Sequence, residues 1–370
     1  MKKLNYYHIL VFCQFLLTDT IAQNISTPFE TKSISINTDQ DIFGPDNEDR
    51  NYTLGFELNT SFSKLFESKN YFILPCLRKC IDKAIGLDYI YTANNTKYFV
   101  SNLSLLGSGF TPLNIGTEVI DSLDRPYGSI LSLGSTRITV FNEDAVFDEE
   151  HSEFPHKYAI STSFFIGALG LNLANSIQSY IHRNHWFGST RPIPEGWKNQ
   201  ISNGGELTGL YSISVITPYI TLRNNGFKLL ESTIDVTTQI GYYTNFALGI
   251  NTKLGKFDSE YWYLNNLLTN ASQKVLQNKH SNFKWNIGFS LRARYVIYNA
   301  LLQGQFKKSV YELSSDQITR ILLEATFGID ILLFERLNLT FRPISIRTAE
   351  FKDAGRNHSW GMAGLSFNFR

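Results

Sequence analysis

The sequence predicts an all-β protein, a transmembrane antiparallel β-barrel. Three observations carry that reading: an export signal at the N-terminus, long stretches in sustained two-residue alternation, and no later apolar run long enough for a membrane helix. Formal net charge is +1, with 18% charged and 14% aromatic residues. Such a balance offers no basic field for nucleic acid and suits a sheet protein with much lipid-facing surface.

The chain opens with Lys2 and Lys3, then the apolar run "ILVFCQFLL" (9–17) and the small residues of "TIAQ" around Ala22 and Gln23. This is the pattern of a cleaved signal peptide, residues 1–23. Cys13 sits inside the apolar run, so no lipid-modified cysteine is expected. The remaining 24–370 read as one barrel domain, without repeats, Pro-rich linkers or low-complexity runs. Cys76 and Cys80, in "PCLRKC", are expected as a local disulfide or as two free thiols.

The strands follow from alternation. In "FKWNIGFSLRARY" (283–295), Phe283, Trp285, Ile287, Phe289, Leu291, Ala293 and Tyr295 share one face, and Lys284, Asn286, Ser290, Arg292 and Arg294 the other. The stretch is longer than a usual soluble strand and matches a tilted bilayer-spanning one. "STIDVTTQIGY" (232–242), "LEATFGIDI" (323–331), "LNLTFR" (337–342) and "AGLSFNFR" (363–370) repeat the pattern. An apolar face toward lipid and a polar face toward the lumen account for it. Two stretches break it. Residues 62–86 read as a helical or irregular insertion outside the membrane. Residues 171–186 space Leu173, Ile177 and Ile181 as a helical stripe, hence a short helix in an extracellular loop.

The segment 36–58 carries the acidic residues Asp39, Asp41, Asp46, Glu48, Asp49 and Glu57 between two strand-like stretches. Alternation places Asn37, Asp39 and Asp41 on one face near a rim. Clustered hard oxygen donors of this kind suit Ca²⁺; a solvated acidic loop would look the same.

Four segments, in order, carry a resemblance. They are "TDQDIF…EDRNYTLGF", "FTPLN" (110–114), "DRPYGSILSLG" (124–134) and "QSYIHRNHWFGSTRPIPEGWKNQISN" (178–203). Together they resemble the outer-membrane lipid A 3′-O-deacylases, which carry an Asn-Asp pair, Asp-Arg-x-Tyr-Thr, Tyr-Thr-Pro, Asp-Arg-Pro-Tyr, and a Gln-x-x-x-His run followed by Pro-x-Gly-Trp. The resemblance implies a barrel of about 12 strands in a Gram-negative outer membrane, acting on lipid A or lipopolysaccharide. It implies hydrolysis of the 3′-linked acyloxyacyl ester by a histidine-activated water, with Ca²⁺ stabilising the oxyanion.

Matched residue by residue, His182 is the general base, with His185 the nearby alternative. Thr53 matches the motif threonine. Asp41 matches the aspartate of the Asn-Asp pair, which leaves Gln40 where the family has asparagine. A second register uses Asn37 and Asp39. The expected site is therefore His182, Thr53 and Gln40 as catalytic residues and Asp41, Asp39 and Asn37 as metal ligands. The family's acidic residue after the histidine has only Glu195 and Glu206 as candidates. Gly196, Trp197 and Gln200 read as loop architecture. The alternatives are a barrel of the same family without hydrolytic activity, serving structure or binding, and a passive pore.

Overall fold

A computed structural model describes residues 33–40, 51–62, 73–93, 96–142, 157–185, 191–224, 227–257, 283–334, 336–352 and 355–369. The segment expected as a signal peptide lies outside them, as does Asp41. The strands are β1 Ser33–Gln40, β2 Asn51–Phe62, β3 Thr96–Thr111, β4 Gly128–Asn142, β5 Lys157–Leu169, β6 Glu206–Asn224, β7 Phe227–Gly241, β8 Tyr243–Phe257, β9 Phe283–Asn299, β10 Ile321–Leu333, β11 Leu337–Arg347 and β12 His358–Asn368. The helices are α1 Ile73–Ala84, α2 Leu87–Ala93, α3 Leu173–Arg183 and α4 Ala300–Gln303. Each strand pairs antiparallel with its sequence neighbours, and β1 pairs with β12, so the barrel is closed. Closure leaves no edge of unpaired backbone groups, which a bilayer would not satisfy.

The barrel is apolar outside and polar inside. On β9 the residues predicted to face lipid are exposed or half-buried, and Lys284, Asn286, Ser290, Arg292 and Arg294 are buried. On β1, Ile34 and Ile36 are 41% and 51% exposed, against 3% for Ser33 and Ser35. The buried set faces the lumen.

The lumen is packed with ion pairs. Arg292 on β9 reaches across β8 to Asp235 on β7 at 2.8 Å. Asn251 donates to the same carboxylate at 2.8 Å and accepts from Ser290 at 2.8 Å. The pair passes over Gly249, where a Cβ would stand 2.5 Å from the Asp235 oxygen. Arg294 and Arg347 share Glu324, and Arg342 holds Asp330. A passive pore keeps its lining in water; apart from Arg347, which is 18% exposed, these lining residues are 7% exposed or less.

Removing one partner of a buried pair strands the other charge, at about 3–5 kcal/mol. Arg292→Ala should therefore convert from folded to unfolded migration on a denaturing gel at a clearly lower temperature than the parent. An unchanged conversion temperature would show that the lumen pair contributes little.

The longest connection, 170–205, lies with 112–127 and 300–320 at the rim where β1, β3, β5, β7, β9 and β11 end. The chain's first strand begins and its last strand ends at the opposite rim. In barrels of this kind the longer loops are extracellular. Residues 62–86 do not stand clear of the barrel as expected: α1 packs against β4 and β5. Neither Cys76 nor Cys80 is in a disulfide.

Candidate functional site

Two loops at the extracellular rim, 112–127 and 170–205, interlock to carry α3. The turn after α3 brings Glu195 N–H to the Ile115 carbonyl at 2.9 Å and Ile201 N–H to the Tyr127 carbonyl at 2.8 Å. Trp197 packs on Tyr127, with ring centroids 5.0 Å apart, and both join Ile115 and Ala174 in a small buried cluster. Gly196 is required there, because a Cβ would sit 2.4 Å from the Tyr127 ring. Trp197 Nε1 donates to Gln178 Oε1 at 2.7 Å, which fixes the rotation of α3. Gln200 and the Leu171 carbonyl both meet Ser129 at the top of β4. The Pro-x-Gly-Trp and Asp-Arg-Pro-Tyr segments are thus the platform of the helix.

The platform is tied to the barrel mouth. Asp124 accepts from Leu113 N–H at 2.8 Å. Arg125, 1% exposed, pairs with Glu350 at 3.3 Å and lies over the Phe110 ring. Burial opposes ionisation of Glu350, but Arg347, Arg125 and His358 outweigh it and hold its carboxyl below the usual range.

Ala174, Gln178, Ser179 and His182 are the buried face of α3. His182 Nδ1 lies 2.7 Å from the Pro192 carbonyl. A carbonyl only accepts, so Nδ1 carries a hydrogen and donates it. Pro192 is itself seated on Gly116, where a Cβ would stand 3.0 Å from its ring. His185 is different: it is exposed, with φ 51°, in the left-handed turn that ends the helix. Of the two histidines, His182 alone lies on the buried face of α3.

The barrel wall divides the remaining predicted residues. Asn37 and Asp39 face the lumen, Asn37 at 4% exposure and opposite Glu57 and Gly364. Gln40 faces outward with Thr38, whose hydroxyl accepts from its amide at 3.4 Å. The cross-strand partners of Gln40 run through Leu54 and Gly109 to Ser129, the residue that anchors the α3 loop. Gln40 and α3 therefore share one outward sector of the rim. Thr53 falls in the same sector as the extra residue of a β-bulge, since Tyr52 and Leu54 pair with the adjacent Phe110 and Gly109. Its side chain, like all of Asp41, is outside the described residues.

The acidic candidates after the histidine are placed elsewhere. Glu195 is exposed. Glu206 accepts from Ser202 Oγ and from the N–H groups of Phe306 and Lys307 at 2.7 and 2.8 Å. Its carboxylate joins the α3 loop to loop 304–320. Sequence reasoning missed Pro192; a carbonyl acceptor has no side-chain signature.

Asn37, Asp39 and Glu57 are hard oxygen donors, the kind calcium takes. Among the described residues, however, no three His, Cys, Asp or Glu side chains converge on one point. Asn37 and Asp39 also lie across the wall from Gln40. As described, they do not form an ion site facing the α3 sector.

No curated protein matches the chain. Among solved structures it is similar to LpxR from Salmonella typhimurium, with a TM-score of 0.63 and 16% identity over 90% of this chain and 99% of that one. The β domain of the Bordetella autotransporter BrkA follows with a TM-score of 0.40 and 10% identity, over 92% of this chain and 99% of that one. The family model described as outer membrane protein LpxR matches residues 9–369. The chain belongs to the LpxR family of outer-membrane proteins of Gram-negative bacteria.

Proposed function

We propose that the protein is an outer-membrane lipid A deacylase that hydrolyses the 3′-linked acyloxyacyl ester, with His182 as the general base. The observation that carries this reading is the Pro192 carbonyl on Nδ1. It supports Nδ1 as the hydrogen donor and so assigns to Nε2 the role of base, taking a proton from water as the water attacks the ester carbonyl. A lipid ester arrives from the membrane side of the wall. Gln40 and the anchor of α3 occupy that side, which favours the register using Gln40 over the one using Asn37 and Asp39. Gln40 offers an amide N–H for the developing oxyanion, and Thr53 a hydroxyl from the neighbouring strand.

Calcium belongs to this proposal as a cofactor that would neutralise the oxyanion. The register that uses Gln40 makes Asp41 the metal ligand, so the ion is proposed there. No step above is routed through it.

Purified protein reconstituted with lipid A and Ca²⁺ should release the 3′ acyloxyacyl group. Absence of release would favour the second reading, a family barrel without hydrolytic activity. Gln40 in place of asparagine supports that reading, as does the engagement of Glu206 away from His182.

A further inference from the structure

The insertion after β2 has inverted polarity. Strand alternation puts Arg137, Thr139 and Phe141 of β4 and Ile160 and Thr162 of β5 on the outward, lipid side, in line with Leu133. Yet Thr139, Phe141, Ile160 and Thr162 are between 0% and 4% exposed. Helices α1 and α2 cover them.

The contacts are polar on the barrel side of α1. Arg78 and Asp82, 0% and 1% exposed, pair at 2.7 Å. Arg78 donates to Thr162 Oγ1 at 3.1 Å, and Asp82 accepts from Thr162 and from Tyr211 of β6 at 3.1 and 2.8 Å. From α2, Tyr91 stacks on Phe141 and takes the Arg137 guanidinium over its ring at 4.7 Å.

The opposite face is apolar. Ile73, Leu77, Cys80 and Ala84 are exposed and spaced four, three and four residues apart, one stripe of a helix. Ile85 and Tyr89 continue the exposed surface at 53% and 77%. A helix lying in water has the reverse arrangement, with ions outward and Ile and Leu inward. A helix against lipid pairs and hides its charges.

We propose that α1 lies in the bilayer against the outer wall of the barrel, its Ile73–Leu77–Cys80 stripe in contact with the hydrocarbon of the membrane lipids. The occupant is fixed by continuity: the stripe adjoins the barrel's own lipid belt, with Leu133 on β4 and Val215 and Ile220 on β6 39–43% exposed on the same outward side. Lys79 and Lys83 can carry their ammonium groups toward the headgroups.

Cys80 supplies the probe. In full-length protein with Cys13 and Cys76 replaced by serine, a nitroxide on Cys80 is read in phospholipid vesicles for collision with oxygen and with a water-soluble nickel chelate. Leu133→Cys serves as the lipid reference and Lys198→Cys as the water reference. The expected result is an oxygen-to-nickel ratio at Cys80 matching Leu133→Cys and several-fold above Lys198→Cys. A ratio equal to the water reference, or shielding from both reagents, would overturn the proposal; the first places the helix in water and the second under protein. Leu77→Cys, labelled alone, repeats the measurement on the same stripe should the label at Cys80 disturb folding.

Discussion

His182→Ala is expected to lower the rate of ester release by about 10²-fold or more, the scale for loss of a positioned general base. The barrel should persist. The described anchors of α3 run through Trp197, Tyr127, Ile115 and Ser129, so the helix keeps its seat without the imidazole. Folded and unfolded migration on a denaturing gel should match the parent. His185→Ala should change the rate little, since that side chain is exposed beyond the end of the helix. If the two variants exchanged phenotypes, the base would be His185. If both kept full activity, the histidine scheme would fail.

Chelation of divalent cations should cost a comparable factor, about 10²-fold, since it would remove the main stabiliser of a developing oxyanion. Added Ca²⁺ should restore the rate. Asp39 and Asp41 are expected to differ. Asp39 shares the lumen face with the buried Asn37, so Asp39→Ala should need little more calcium than the parent. Asp41→Ala should raise the calcium concentration for half-maximal rate strongly. Titration of the rate with Ca²⁺ measures both. A large effect at Asp39 with none at Asp41 would move the ion to the lumen side, and full activity in chelator would remove calcium from the scheme.

Much of the fold was legible where the lumen is charged. β7, β9, β10, β11 and β12 overlap the alternating stretches because lipid demands apolar residues on one side and the Asp235–Arg292 and Glu324–Arg294 pairs demand polar ones on the other. β4 did not stand out. Its outward half near the periplasmic rim, Arg137 and Thr139, is polar because it meets α1 and α2. Its lumen residues Ile138 and Val140 are apolar. The expected contrast is reversed within one strand, and no local window reveals the helices that reverse it.

The same logic applies to the site. The stripe of Leu173, Ile177 and Ile181 located α3, and motif spacing picked out His182. Alternation placed Asn37, Asp39 and Asp41 on one face near a rim. What spacing could not supply was the side of the wall on which the α3 loop is anchored. That depends on Ser129, which is distant in sequence and adjacent only through cross-strand register.

The most direct test is mass spectrometry of lipid A from cells that produce the protein, cells that lack it, and cells that produce His182→Ala. The account predicts lipid A lighter by the 3′ acyloxyacyl group only in the first. Identical lipid A in all three, with the barrel present in the outer membrane, would contradict it.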